Sequence, residues 1–205
     1  MAEEKKKKTK EESFLDKLKS AINTSSATAK ARAAGDWFKE KAKQAGASAR
    51  MRTVTPSQLL KRQPDDSGTP LGKMLFYKYD PKWAKKLPYW DMYPLVFPFQ
   101  KAPGGFYGIN LHYVRPRDRA ILMDQLNGFA SNDKYDKTTT LQLSYNTLKR
   151  YGRAVPCVKR YLGSHVVSQT VRIDADEWEI AIFLPVERFQ KESSAIVWKD
   201  SRKYF

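Results

Sequence analysis

Leu95-Val-Phe-Pro-Phe99 and Phe106-Tyr-Gly-Ile-Asn-Leu-His-Tyr-Val114, joined through the turn Ala102-Pro-Gly-Gly105, decide how the chain is read. Both runs are rich in apolar and aromatic residues, and the turn reverses the chain between them, so the pair reads as two short strands. Pro81, Pro88, Pro94 and Pro98 lie before or within the first run. Proline has no N–H to give a ladder, so these positions argue against a long helix or a central strand and predict edge strands. Upstream, Lys73 to Tyr79 sets Met74 and Phe76 against Leu75, Tyr77 and Tyr79, the period-two pattern of a strand with two partly covered faces.

Beyond the hairpin the period changes. Pro116 suits a first helical turn, and Leu122, Met123, Leu126, Phe129 and Ala130 recur at helical spacing, which predicts a helix over residues 117–130. A second helix is expected from Thr138 to Tyr151, with Leu141, Tyr145 and Leu148 on one side and Gly152 as a stop. A third would begin at Pro156 and place Val158, Leu162, His165 and Val166 on one face. From Asp174 the signals conflict. Asp174 and Glu177 resemble a helix start, whereas Trp178, Ile180, Ile182 and Leu184 alternate as a strand would; the helix is the reading adopted, ending before Pro185. Ala195 to Trp198 is expected to be a last strand, followed by the basic, aromatic end Ser201-Arg-Lys-Tyr-Phe205.

The first 63 residues differ in composition, with 16 basic against 7 acidic residues and few aromatics. Such a segment cannot hold a core of its own. Within it Phe14, Leu15, Leu18, Ala21 and Ile22 recur at helical spacing, and a shorter pattern surrounds Trp37 and Phe38. Two readings stay open: amphipathic helices that order on a partner, or a solvated arm with transient helix. Residues 64–70 are dense in turn formers and read as a linker. The expected organisation is therefore a flexible basic N-terminal arm over residues 1–63, then an α+β domain over residues 71–205. Its core would be a small, Pro-interrupted antiparallel sheet packed with three or four helices.

Charge narrows the function. Lys and Arg number 38 against 22 Asp and Glu, a formal charge of +16, which favours a polyanionic partner because phosphate neutralisation releases counterions. Cys157 is the sole cysteine, so the chain can form neither an internal disulfide nor a thiolate metal cage. No stretch approaches membrane-spanning length, and no membrane, metal or cofactor is expected.

The densest feature is Phe76 to Tyr93, where Tyr79, Trp83 and Trp90, among seven aromatic residues, are interleaved with Lys78, Lys82, Lys85 and Lys86. Rings can stack on bases while ammonium groups hold phosphates; alternatively the rings are core and the lysines its solvated rim. Further phosphate-contact candidates are Lys5, Lys6, Lys7 and Lys8 in the arm and Arg115, Arg117 and Arg119 at a helix start. Lys149, Arg150, Arg153, Lys159 and Arg160 form another basic set; charged helix surfaces paired with Asp118 or Asp124 would explain the same arginines. Catalysis finds little support. His112 and His165 sit in apolar patterns, Cys157 lies between Pro156 and Val158, and helix capping by Asp174 explains the group Asp174, Asp176, Glu177 and Glu179 more simply than binding of a divalent ion.

Several of these runs carry a resemblance. Phe76-Tyr-Lys-Tyr-Asp-Pro81, Leu87-Pro-Tyr-Trp-Asp-Met-Tyr-Pro-Leu-Val-Phe-Pro98, Gly104-Gly-Phe-Tyr-Gly-Ile-Asn-Leu-His-Tyr113, Cys157-Val-Lys-Arg-Tyr-Leu162 and Ile173-Asp-Ala-Asp-Glu-Trp178 together resemble the DNA end protector proteins of contractile-tailed (myovirus) bacteriophages. The resemblance spans residues 74–205 and leaves the basic arm uncovered. It implies a late-expressed, non-enzymatic virion protein that binds double-stranded DNA ends, shields them from host exonuclease and helps heads join tails through neck or head proteins. A structural assembly protein of the neck or baseplate, acting through protein contacts, is the rival reading.

Overall fold

The computed structural model describes residues 12–24, 27–46 and 71–205, and the architecture is α+β. Strands β1 (Met74–Phe76), β3 (Leu95–Ala102), β4 (Gly105–Asn110), β5 (Val158–Leu162) and β6 (Val171–Ile173) form an antiparallel sheet in the order β5-β4-β3-β1-β6. A second ladder pairs β2 (Trp90–Asp91) with β7 (Phe189–Gln190). The helices are α1 (Phe14–Thr24), α2 (Ala27–Gly46), α3 (Pro116–Asn127), α4 (Tyr145–Leu148), α5 (Trp178–Phe183) and α6 (Ser194–Ser201). Among the described residues no helix is long and apolar enough to cross a membrane.

The β3–β4 hairpin forms where its sequence points. Gly104 takes φ +71° in the turn, and a Cβ on Gly105 would come within 1.8 Å of the Tyr161 carbonyl oxygen, so this approach of β4 to β5 requires glycine. The strands are not edges, however: β3 lies between β4 and β1. Pro98 is tolerated there because the β1 ladder reaches only the Leu75–Val96 pair and the β3 register shifts between Pro98 and Gln100.

Alternation along the strands divides the core in two. Met74, Phe76, Phe97 and Ile109 join the larger cluster with Leu122, Trp178 and other helical residues, and Trp178 meets Phe97 edge-to-face at 5.0 Å. Leu75, Tyr77, Val96, Phe106 and Tyr161 form the smaller cluster with Tyr79 and Val166. One sheet face is thus covered largely by helices and the other by rings and irregular chain.

Three expected elements differ. Val158 to Leu162 is a strand, because its backbone pairs with β4 from Gly105 to Ile109, a non-local gain that helical spacing cannot reveal. Ala195 to Trp198 lies inside helix α6, with Val197 buried. The helix expected from Thr138 to Tyr151 shrinks to Tyr145–Leu148, started by the Ser144 hydroxyl accepting from the Thr147 N–H, while Leu141 is spent on a bridge to Ala130. The expected 117–130 helix is Pro116–Asn127, and α5 ends at Phe183, before Pro185.

The larger correction concerns the arm. Helices α1 and α2 are seated on the body, and Phe14, Leu18 and Trp37 are buried in its core. The Asp124 carboxylate of α3 accepts the Phe14 and Leu15 backbone N–H groups at 2.7 and 3.1 Å and so caps α1 from outside. Trp37 and Phe38 both pack edge-to-face on Phe76, and Lys41 pairs with Glu177 at 2.8 Å. A short apolar stripe suffices because the partner surface is the chain's own sheet and helix layer. The Lys5 to Lys8 run and the expected linker at residues 64–70 lie outside the described residues.

Seated helices and a solvated arm predict different stabilities. Phe14→Ala is expected to cost about 3 kcal/mol and Asp124→Ala about 1 kcal/mol in urea unfolding. An unchanged midpoint in Phe14→Ala would return α1 to solvent.

Candidate nucleic-acid interface

Residues 81–88 build the rim of the site. The Ala84, Lys86 and Leu87 N–H groups fold back on the Pro81 and Trp83 carbonyls. The Lys191 ammonium then donates to the Lys85 and Leu87 carbonyls at 3.1 and 2.7 Å and lies 5.6 Å from the Trp90 ring centroid. This fixes a turn that holds Trp83 outward, 55% exposed. The ammonium groups of Lys82 and Lys86 lie 5.2 and 5.1 Å from its ring centroid, and Lys85 is exposed on the same turn.

Trp83 and Trp90 line a cleft of about 600 Å³ whose other walls include Tyr79, Lys82, Lys159 and Arg160. A smaller cavity of about 310 Å³ shares Tyr89, Tyr113 and Lys159 with it and extends to Lys203 and Tyr204. Strand alternation explains the convergence: Lys159 and Tyr161 leave β5 on the same side, toward the aromatic cluster. Arg160 donates from Nη2 to the Pro103 carbonyl at 2.8 Å and remains exposed. Lys159 is half-buried, 3.9 Å from the Tyr113 ring centroid, and burial pulls its pKa below the usual lysine value. Tyr79 is a wall of the cleft and not a free stacking face. It is 8% exposed, edge-to-face with Tyr161 at 5.0 Å, and its hydroxyl accepts the Leu162 N–H.

The other sequence candidates lie apart from these walls. Arg119 cannot meet a phosphate: it is 0% exposed, pairs with Glu187 at 2.9 Å and donates to the Leu111 and Val114 carbonyls at 3.0 and 2.8 Å. Arg115 and Arg153 share the buried Asp118 carboxylate at 2.5 and 3.1 Å, the local pairing that competes with phosphate contact. Arg117 is exposed beside an apolar groove between α2 and α5, and Arg150 is exposed after α4. Lys149 is exposed too, its ammonium 4.8 Å from the Tyr145 ring centroid. Lys191, Tyr113 and Lys203 belong to the neighbourhood but carry no local sequence signal, since the fold alone brings them to residues 81–90.

Groups with catalytic chemistry are occupied or separated. His112 is buried with Nδ1 2.6 Å from Asp91, whose carboxylate also accepts from the Asn110 amide and the Tyr93 N–H. Burial alone would raise the Asp91 pKa, but His112 and these donors hold it below the ordinary carboxylate value. His165 Nδ1 lies 2.7 Å from the Asp80 carbonyl. Cys157 is buried, its thiol pushed up to about 12 by desolvation. The acidic group from Asp174 to Glu179 disperses, with Asp174 on Arg172, Glu177 on Lys41 and Glu179 on Lys17. Among the described residues no cluster of three or more His, Cys, Asp or Glu side chains could hold a metal ion.

Glu187 resembles Asp91: burial would raise its pKa, yet Arg119 holds it lowered. Both folded values are depressed, so the stabilisation is present above the unfolded values of about 3.9 and 4.3 and is lost as pH falls through the folded ones. Arg119→Met should cost about 3–5 kcal/mol at pH 7, where Glu187 is left buried and unpaired. That deficit should shrink in thermal melts at pH 3, where the carboxyl is protonated; an undiminished deficit would assign the loss to packing alone.

A family model described as the phage T4 terminal DNA protecting protein matches residues 1–201. The match takes in the basic N-terminal segment that the sequence resemblance had left uncovered. No curated protein and no solved structure matches the chain.

Proposed function

Because the chain belongs to the phage T4 terminal DNA protecting protein family, we propose that it binds the ends of packaged double-stranded DNA and shields them from host exonuclease. The observation that carries this reading is the cleft where the exposed Trp83, Lys82 and Arg160 meet the half-buried Trp90 and Lys159. Within a duplex every base face is covered by its neighbours, so an aromatic surface can stack on DNA only where the stack ends or a strand is unpaired. Lysines at 82, 85 and 86 would hold adjacent phosphates, with Lys149, Arg150 and Lys5 to Lys8 adding contacts that carry no sequence preference. Binding needs no catalysis, and the dispersed carboxylates and buried Cys157 accord with that.

The same protein would reside in the virion, with the host cytoplasm as its setting during assembly, and would join heads to tails through a neck or head protein. The apolar groove lined by Leu18, Ala33, Trp37, Ile180 and Phe183 favours this second role, because Ile180 is 40% exposed beside it.

Linear and closed-circular DNA of equal length separate end binding from general attraction across a salt series. Tighter binding to the linear form, with protection from exonuclease, is expected. Replacing Lys82, Lys85 and Lys86 with alanine should lower the salt slope by up to about 0.9 per lost phosphate contact. Equal affinity without protection would leave the neck assembly reading.

A further inference from the structure

Lys159 is the cation of the cleft that combines partial burial with the lack of a hydrogen-bonding partner among the described residues. Arg160 is engaged by the Pro103 carbonyl, Lys191 by two carbonyls, and Lys82 and Lys86 are exposed on Trp83. Lys159 instead lies half-buried where the two cavities meet, against the Tyr113 ring, and makes no ion pair or side-chain hydrogen bond among the described residues. Nearby carboxylates are committed elsewhere. Asp91 is consumed by His112, Asn110 and backbone N–H groups, and Asp200 is held by Lys203 and Tyr89. A partly desolvated ammonium without an anion is costly, and burial already disfavours its charged form. An entering anion would remove that cost.

The anion must arrive attached to something flat. The walls beside Lys159 are rings, and volumes of about 600 and 310 Å³ suit a small ligand, not a double helix. A base with an open face, joined to a phosphate, satisfies both requirements; a paired stack end also offers an open face, but a cleft of this size suits one nucleotide and not a base pair, which leaves an unpaired terminal nucleotide.

We propose that the cleft holds the unpaired terminal nucleotide of a DNA strand, its base against the indoles of Trp83 and Trp90 and its phosphate at Lys159. This rests on the reading of the chain as a DNA-end protein and specifies what part of the end it grips. A nucleotide withdrawn in this way is removed from the reach of an exonuclease that must engage a free strand terminus.

Trinucleotides of thymidine with a 5′-phosphate, a 3′-phosphate or neither, titrated by tryptophan fluorescence, test the site directly and show which terminus it accepts. One phosphorylated form should quench saturably and bind about tenfold tighter than the unphosphorylated one, the scale of one charge-assisted contact. Trp83→Ala, at an exposed position, should weaken binding by roughly tenfold through lost stacking. Lys159→Met should abolish the preference for the phosphate and Lys159→Arg should retain it, with circular dichroism confirming that both are folded. A hairpin duplex with a three-nucleotide overhang should likewise bind tighter than the blunt hairpin. Protection of linear DNA without trinucleotide binding, or with binding indifferent to Trp83 and Lys159, overturns the pocket and leaves end binding intact. Phosphate- and Lys159-dependent trinucleotide binding with equal affinity for linear and circular DNA upholds the pocket and overturns the end protector.

Discussion

The guanidinium of Arg119 is the fixed point around which one half of the molecule is arranged. From the first turns of α3 it binds the carbonyls of Leu111 and Val114, reaches Glu187 across 68 residues of sequence, and lies 5.6 Å from the Trp198 ring centroid of α6. Four segments that share no ladder are thereby held to one group. A buried charge of this kind contributes little net stability compared with an apolar replacement of both partners, but it tolerates very few alternative arrangements. Strand β7 begins two residues after Glu187, and β7 pairs with the Trp90 strand that lines the cleft. The position of the candidate site is thus linked to a buried ion pair.

The sheet contributes the rest. Its helix-covered face, with α1 and α2 added to α3 and α5, forms the larger core. Its second face is closed by Tyr77, Tyr79, Phe106 and Tyr161, with Phe106 and Tyr161 stacked at 5.5 Å. Rings close such a face without forming a continuous layer, and irregular chain from residues 80–90 must complete the cover. Where that cover ends, Trp83 and Lys159 are left beside open space. One segment therefore divides its rings between core and surface: Tyr77 and Tyr79 lie inside, Trp83 outside.

What could be read from the residues follows the range of the forces involved. The β3–β4 hairpin and α3 were legible because turn glycines, Pro116 and apolar spacing act within a few residues. Strand β5 was not, since Val158, Leu162 and His165 satisfy a helical spacing and only pairing with β4 selects the strand. Arg119 resembled its neighbours Arg115 and Arg117, because nothing local announces a carboxylate 68 residues away. The seating of α1 was hidden for a similar reason: Phe14 and Leu18 make a short stripe whose partners, Asp124 and Phe183, come from distant elements. Of the site, the residue types in 76–93 were visible, whereas their meeting with Lys159 and Lys191 depended on the sheet and the β2–β7 ladder.

The chain's single thiol has a consequence for its chemical lifetime. Cys157 is enclosed, its Sγ donates to the Arg153 carbonyl at 3.4 Å, and it forms almost no thiolate at neutral pH. Thiolate is the species that peroxide and disulfides attack. With one cysteine in the sequence and that one inert, the protein can pass between reducing and oxidising surroundings without acquiring a sulfenate, a glutathione cap or a cross-link to another copy. Its cysteine chemistry is therefore the same in reducing and oxidising surroundings.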